Sequence, residues 1–117
     1  MYLKNNIEFF MRNILNLDLE NDFIFIKDLK LKYIYANSKF CKLFQINLNE
    51  LIVKDDSYFI KDHLILKNCN ESDSLALKNN FLISEEEVFG LNFKVLKLKI
   101  NIDTNTFALL CFAKNTE

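Results

Sequence analysis

Between Asn21 and Phe40 the chain reads as two short apolar runs around a polar turn, leading straight into a helix. Phe23 to Lys27 and Tyr33 to Ala36 are apolar on consecutive positions rather than on alternate ones. Such a run predicts a strand covered on both faces. Asn37 follows as a helix cap, because its side-chain oxygen can accept an otherwise unpaired N–H of the first turn. Phe40 and Phe44, four apart, share one side of that helix. A sheet that opens this way needs helices on one side and a second cover on the other.

The preceding segment offers that cover. Leu3, Ile7, Phe10, Met11 and Ile14 recur at helical spacing, with Lys4, Asn5, Glu8 and Arg12 between them. Residues 1–20 are therefore expected to form an amphipathic helix, and residues 21–117 the domain itself. The apolar stripe either caps the domain's own sheet or meets a second copy, since so wide a stripe is unusual left bare.

Beyond Phe44 the pattern predicts a helical turn over Asn47 to Leu51 and a third helix from Tyr58 to Lys67. Asn68 to Asp73 reads as a polar return to the sheet. Three strands are then expected, from Leu75 to Ser84, Val88 to Ile102 and Thr106 to Ala113. Gly occurs once, at Gly90, and Pro not at all, so the turns must use Asn, Asp and Ser. Ser84 to Glu87 and Asp103 to Asn105 are the expected hairpin connections. Leu96, Leu98, Ile100 and Ile102 alternate with Lys97, Lys99 and Asn101, which predicts one buried face and one in water. A phase change at Val95 and Leu96 suggests a bulge. Lys27, Lys30 and Lys32 read as a solvated hairpin edge, and Glu85 to Glu87 as a solvated turn. The whole predicts an α+β fold: a five-stranded antiparallel sheet with short helices on one face and an N-terminal capping helix.

Composition excludes several functions. Net charge is −1 with signs interspersed, so no basic stripe exists for a phosphate backbone. The cysteines, Cys41, Cys69 and Cys111, are odd in number and form no CxxC pair, which fits free thiols in a reducing cytoplasm. Cys41 and Cys111 read as small buried hydrophobes, and Cys69 as exposed in a loop. No apolar run approaches the roughly 20 residues of a membrane span. No nucleophile–base pattern, phosphate-cradling glycine loop or zinc spacing is present, so no independent enzyme is expected.

From Asp22 to Leu51 the chain resembles the PAS domain family, and more weakly to Ala113. The resemblance rests on a first strand ending in Asp28, a second ending in Tyr35-Ala36-Asn37, Phe40 in the following helix, and Asn47-Leu48-Asn49-Glu50-Leu51-Ile52. It departs where Asp28-Leu29-Lys30 replaces Asp-Gly-Arg and Val53-Lys54 replaces Gly-Lys, and in an expected shortening of the helix from Asp55 to Asn68. The resemblance implies a bacterial, cytoplasmic sensory or regulatory module of a two-component type system. It would bind a small molecule or partner protein and signal through dimer contacts. It further implies a homodimer working with a histidine kinase or chemoreceptor. The hypothetical pocket comprises Tyr35, Phe40, Phe44, Tyr58, His63 and Asn80. Two alternatives stand beside this one. The first is a redox or gas sensor carrying haem, with His63 as ligand, or flavin. The second is a ligand-free interaction domain. No cofactor is the first expectation.

Overall fold

The structure is a computed structural model and describes residues 22–116. The segment 1–20, with its expected helix and the interface residues Leu3, Ile7, Phe10, Met11 and Ile14, lies outside the described residues. In chain order the elements are β1 (Phe23–Lys27), β2 (Tyr33–Ala36), α1 (Ser38–Phe44), α2 (Leu48–Leu51), a 3-10 turn (Asp56–Tyr58), α3 (His63–Asn79), β3 (Phe81–Val88), β4 (Leu91–Asp103) and β5 (Thr106–Asn115). The five strands form one sheet in the order β2-β1-β5-β4-β3. Every neighbouring pair is antiparallel. The last strand therefore closes the sheet by lying between the first and the fourth.

Local chemistry sets the opening as expected. Asp28 Oδ1 accepts from the backbone N–H groups of Lys30 and Lys32, which turns the chain between β1 and β2 without glycine. Asn37 caps α1 by accepting from Phe40 N at 3.1 Å, and its Nδ2 donates to the Asp22 carbonyl. Asn47 caps α2 in the same manner, through Glu50 N. Each cap of this kind contributes about 1 kcal/mol.

The later elements differ from the periodicity reading. Helix α3 begins at His63 and has 17 residues, so it is neither shortened nor ended at Lys67. The stretch Asn68 to Asp73 is helical: Asn68, Asn70 and Glu71 face water while Cys69 and Asp73 face the interior. Asp62 caps the helix by accepting from Leu64 N and Ile65 N. Residues 84–87 are not a hairpin but the middle of β3, paired with Asn92 to Val95. The β3–β4 turn is instead Phe89-Gly90, with φ of 53° and 77°. Two consecutive positive φ values are the hairpin geometry that follows strand twist, and a phenylalanine there is not a residue that composition signals. Pairing is continuous through Val95 and Leu96, and the β4 irregularity lies between Asn101 and Asp103.

Both faces of the sheet are apolar, which explains the doubly apolar strands. One face carries Phe23, Phe25, Val95, Leu109, Cys111 and Ala113. This inner face looks toward the helices, where Phe40, Leu51 and Ile60 join the main core. The outer face carries a second cluster of Leu96, Leu110 and Phe112 with Ile24, Ile26, Leu98 and Ile100. Lys97 consequently does not reach water. It lies on the inner face and is 2% exposed, the reverse of what the β4 alternation suggested.

Candidate functional site

Two sheet lysines point into the helical layer. Lys27 ends β1 in phase with Phe23 and Phe25, and Lys97 lies mid-β4 beside Val95. Strand alternation puts both on the inner face. Their anionic partners come from three other elements: Asp56 from the 3-10 turn, Asp73 from α3 and Glu86 from β3. Lys27 Nζ donates to Asp56 Oδ2 at 2.7 Å and to Asp73 Oδ2 at 2.5 Å. Lys97 Nζ donates to Asp73 Oδ1 at 2.6 Å and to Ser72 Oγ at 2.6 Å, and pairs with Glu86 Oε2 at 2.9 Å. The Tyr33 hydroxyl donates to Asp56 Oδ1, and Ser84 Oγ donates to Glu86. Both oxygens of Asp73 are thus spent on two different cations, one per strand. No side chain of the five charged groups is more than 12% exposed.

The field of this network shifts its members. Burial by itself would lower Lys27, but Tyr33, Asp56 and Asp73 outweigh it and hold the ammonium well above the ordinary lysine range. Lys97 is raised in the same way: burial opposes, and Asp73 and Glu86 prevail. Asp73 is lowered, because Lys27 and Lys97 overcome the desolvation that would raise it. Burial, with Asp56 as a further contributor, raises Tyr33 well above the usual phenol range. Burial pushes Cys69 up to about 12 and raises Cys111 as well, so both thiols stay protonated and unreactive. Cys69 is buried in α3 rather than exposed in a loop.

These shifts predict a pH profile. A lowered carboxylate stabilises above its unfolded value, near pH 3.9, and that stabilisation is lost as pH falls through the folded value. A raised lysine stabilises below its unfolded value, near pH 10.4, and loses this as pH rises through the folded one. The network's contribution is therefore constant from about pH 5 to 9 and falls outside that window. Urea midpoints measured across pH check this: a steep change between pH 6 and 8 arising from Asp73 or Lys97 contradicts it.

Beside the ions is a cavity of about 60 Å³. Phe23, Phe40, Phe44, Phe59 and Phe93 form its apolar wall, and Lys27, Asp56, Asp73, Glu86 and Lys97 its polar end. Aromatic rings close the apolar side, with centroids 4.6 Å apart for Phe40–Phe44 and 4.5 Å for Phe44–Phe59. Of the residues expected in a pocket, Phe40 and Phe44 are brought together here. The other four do not line the cavity. Tyr35 is exposed opposite Ile26 on the outer face, and exposed Tyr58 donates to Glu50. His63 is exposed in the first turn of α3. Asn80 is the left-handed C-cap of α3, with φ of 70°.

The charged residues escaped the sequence reading, though one signal for them was present. If β1 is covered on both faces, Lys27 has no solvent to reach and needs a buried partner. No such signal marks Lys97, which alternates with Leu96 and Leu98 as in a strand with one face in water. Glu86 was hidden in a run of three glutamates, of which strand alternation turns the middle one inward.

No family model matches the chain, and no curated protein matches it in sequence. Its fold is found among solved structures. A domain of an HTR-like protein from Haloarcula marismortui superposes with a TM-score of 0.72 at 13% identity, over 83% of this chain and 99% of that one. The PAS domain of a protein from Colwellia psychrerythraea gives 0.66 at 13% identity, over 98% and 97%. A domain of the sensory box sensor histidine kinase/response regulator from Geobacter sulfurreducens gives 0.59 at 16% identity, over 97% and 95%. With its five-stranded antiparallel sheet and three helices over one face, the chain has the PAS fold.

Proposed function

We propose that this domain is a sensory or regulatory module of a signal-transduction system, relaying a change at its interior or surface through contact with a second copy of the chain. The observation that carries the reading is the cavity between helices and sheet, walled by phenylalanines and ended by buried charge, within a PAS fold. The chemical output lies in another domain or partner, such as a histidine kinase or chemoreceptor, and the domain works in the cytoplasm. Among the described residues no helix is long and apolar enough to cross a membrane.

The residues do not fit haem or flavin. Pockets for ligands of that class run to about 300–1,000 Å³, against about 60 Å³ here. His63, the sole histidine, is exposed and outside the cavity. The space suits a few waters or a molecule of a few heavy atoms.

The stripe Leu3, Ile7, Phe10, Met11 and Ile14 is apolar, as is the outer face of the sheet. The reading assigns that stripe to the sheet and to the dimer contact together. Phe10→Asp combined with Ile14→Asp is expected to convert a dimer to a monomer by light scattering, and a mass unchanged from the parent dimer rejects the assignment. Native mass spectrometry of the freshly purified protein reports subunit number and any bound small molecule in one measurement.

A further inference from the structure

Helix α3 is held in an unusual way. Of its 17 residues the fully buried ones are Cys69, Asp73 and Ala76. Two of these are small, and the larger apolar side chains by which the helix meets the core, Ile65, Leu66 and Leu77, are only partly buried. The third is a carboxylate, and it ties α3 to two strands of the sheet at once. Asp73 sends one oxygen to Lys27 on β1 and the other to Lys97 on β4, at 2.5 and 2.6 Å. Two ammonium groups converging on the two oxygens of one carboxylate is how a protein recognises a free carboxylate ligand. Here the ligand is covalently part of the neighbouring helix.

We infer that Lys27 and Lys97 form a carboxylate-binding seat which Asp73 fills as a built-in ligand, so that α3 is latched to the sheet by an occupant that a small free carboxylate can replace. The cavity supports this. Lys27, Lys97 and Asp73 all line it, and its roughly 60 Å³ lies against the seat. That is room for formate or acetate beside the lysines. The remaining partners leave each lysine with one carboxylate of its own: Asp56 pairs with Lys27 at 2.7 Å and Glu86 with Lys97 at 2.9 Å. The place that Asp73 fills is therefore that of a second carboxylate shared by the two ammonium groups. Replacement of Asp73 by a free carboxylate would leave both lysines paired and release α3. This is a route from cavity occupancy to helix movement. The inference rests on the regulatory reading above only for the use made of that movement.

The test removes the internal ligand and offers it back. Asp73→Ala is purified, and its thermal unfolding is followed in 100 mM sodium chloride and in 100 mM sodium acetate. The expected result is a loss of roughly 10 °C or more in chloride, of which acetate restores about half or more. If Asp73→Ala is unfolded in chloride, the expected result is recovery of its far-ultraviolet circular dichroism in acetate. Asp73→Asn keeps the seat filled with a neutral amide of the same shape and serves as the control. It is expected to gain no more from acetate than from chloride. The inference is overturned if acetate and chloride act alike on Asp73→Ala. It is equally overturned if Asp73→Asn responds to acetate as strongly as Asp73→Ala. Neither result depends on whether the chain dimerises or signals, which the light-scattering experiment decides separately.

Discussion

Replacing Lys27 by methionine is expected to destabilise the domain by roughly 3–5 kcal/mol, measured by urea unfolding at pH 7. The substitution keeps the length and apolar stem but removes the ammonium. Among the described residues Asp56 loses its one paired cation, and Asp73 keeps Lys97 alone. Both carboxylates stay buried, at 4% and 0% exposure. An uncompensated buried charge, rather than the lost attraction, sets the size of the effect. Lys32 supplies the control. It pairs with Asp55 at 2.9 Å, but the two side chains are 42% and 38% exposed. Exposed pairs contribute about 0–1 kcal/mol, so Lys32→Met should cost less than 1 kcal/mol. Equal losses for the two variants would contradict the role given to the buried network.

Phe40→Ala is expected to cost a similar amount, about 3–5 kcal/mol, by a different route. Phe40 is 3% exposed and stands at the centre of an aromatic group. Its ring centroid lies 4.9 Å from that of Phe25, 5.5 Å from Tyr33, 4.6 Å from Phe44 and 6.0 Å from Phe59. Truncation removes those pairings and leaves a void continuous with the existing cavity. The enlarged space keeps its charged end, while the part vacated by the ring is apolar and accepts small apolar molecules. Benzene should therefore raise the melting temperature of Phe40→Ala and leave the parent unchanged. His63→Ala, at an exposed helix position, should change stability by no more than about 0.5 kcal/mol. A loss near 1 kcal/mol for Phe40→Ala would show that the rings repack and the wall is plastic.

The two substitutions separate what holds this interior together. Phe40 acts through shape, and its effect should be the same at any salt concentration. Lys27 acts through buried charge, which salt screens much less than charge at the surface. Both side chains border the same cavity, so either variant alters what that space will hold.

Much of the fold was legible residue by residue. Phe23 to Ala36 announced two strands covered on both sides, Asn37 the helix it caps, and Asn47 to Leu51 a helical turn. These are short-range effects: a cap bonds three residues away and a turn closes over four. Helix α3 was misjudged because its buried side is Cys69, Asp73 and Ala76, which carries almost no hydrophobic period. The β3–β4 hairpin was misplaced because three polar glutamates resemble a turn more than Phe89-Gly90 does.

The ion network is the opposite case. Lys27, Asp56, Asp73, Glu86 and Lys97 are separated along the chain by up to 70 positions, from 27 to 97, and no local pattern joins them. What the amino-acid sequence determined alone was the double cover of β1 and β2, the cap at Asn37 and the absence of catalytic motifs. Those follow from periodicity and from bonds to near neighbours. Only the tertiary structure decided that five charged side chains share one buried place. A charge far from water is tolerable only beside its opposite, and which residues become neighbours is settled when β5 closes the sheet and α3 lies across it.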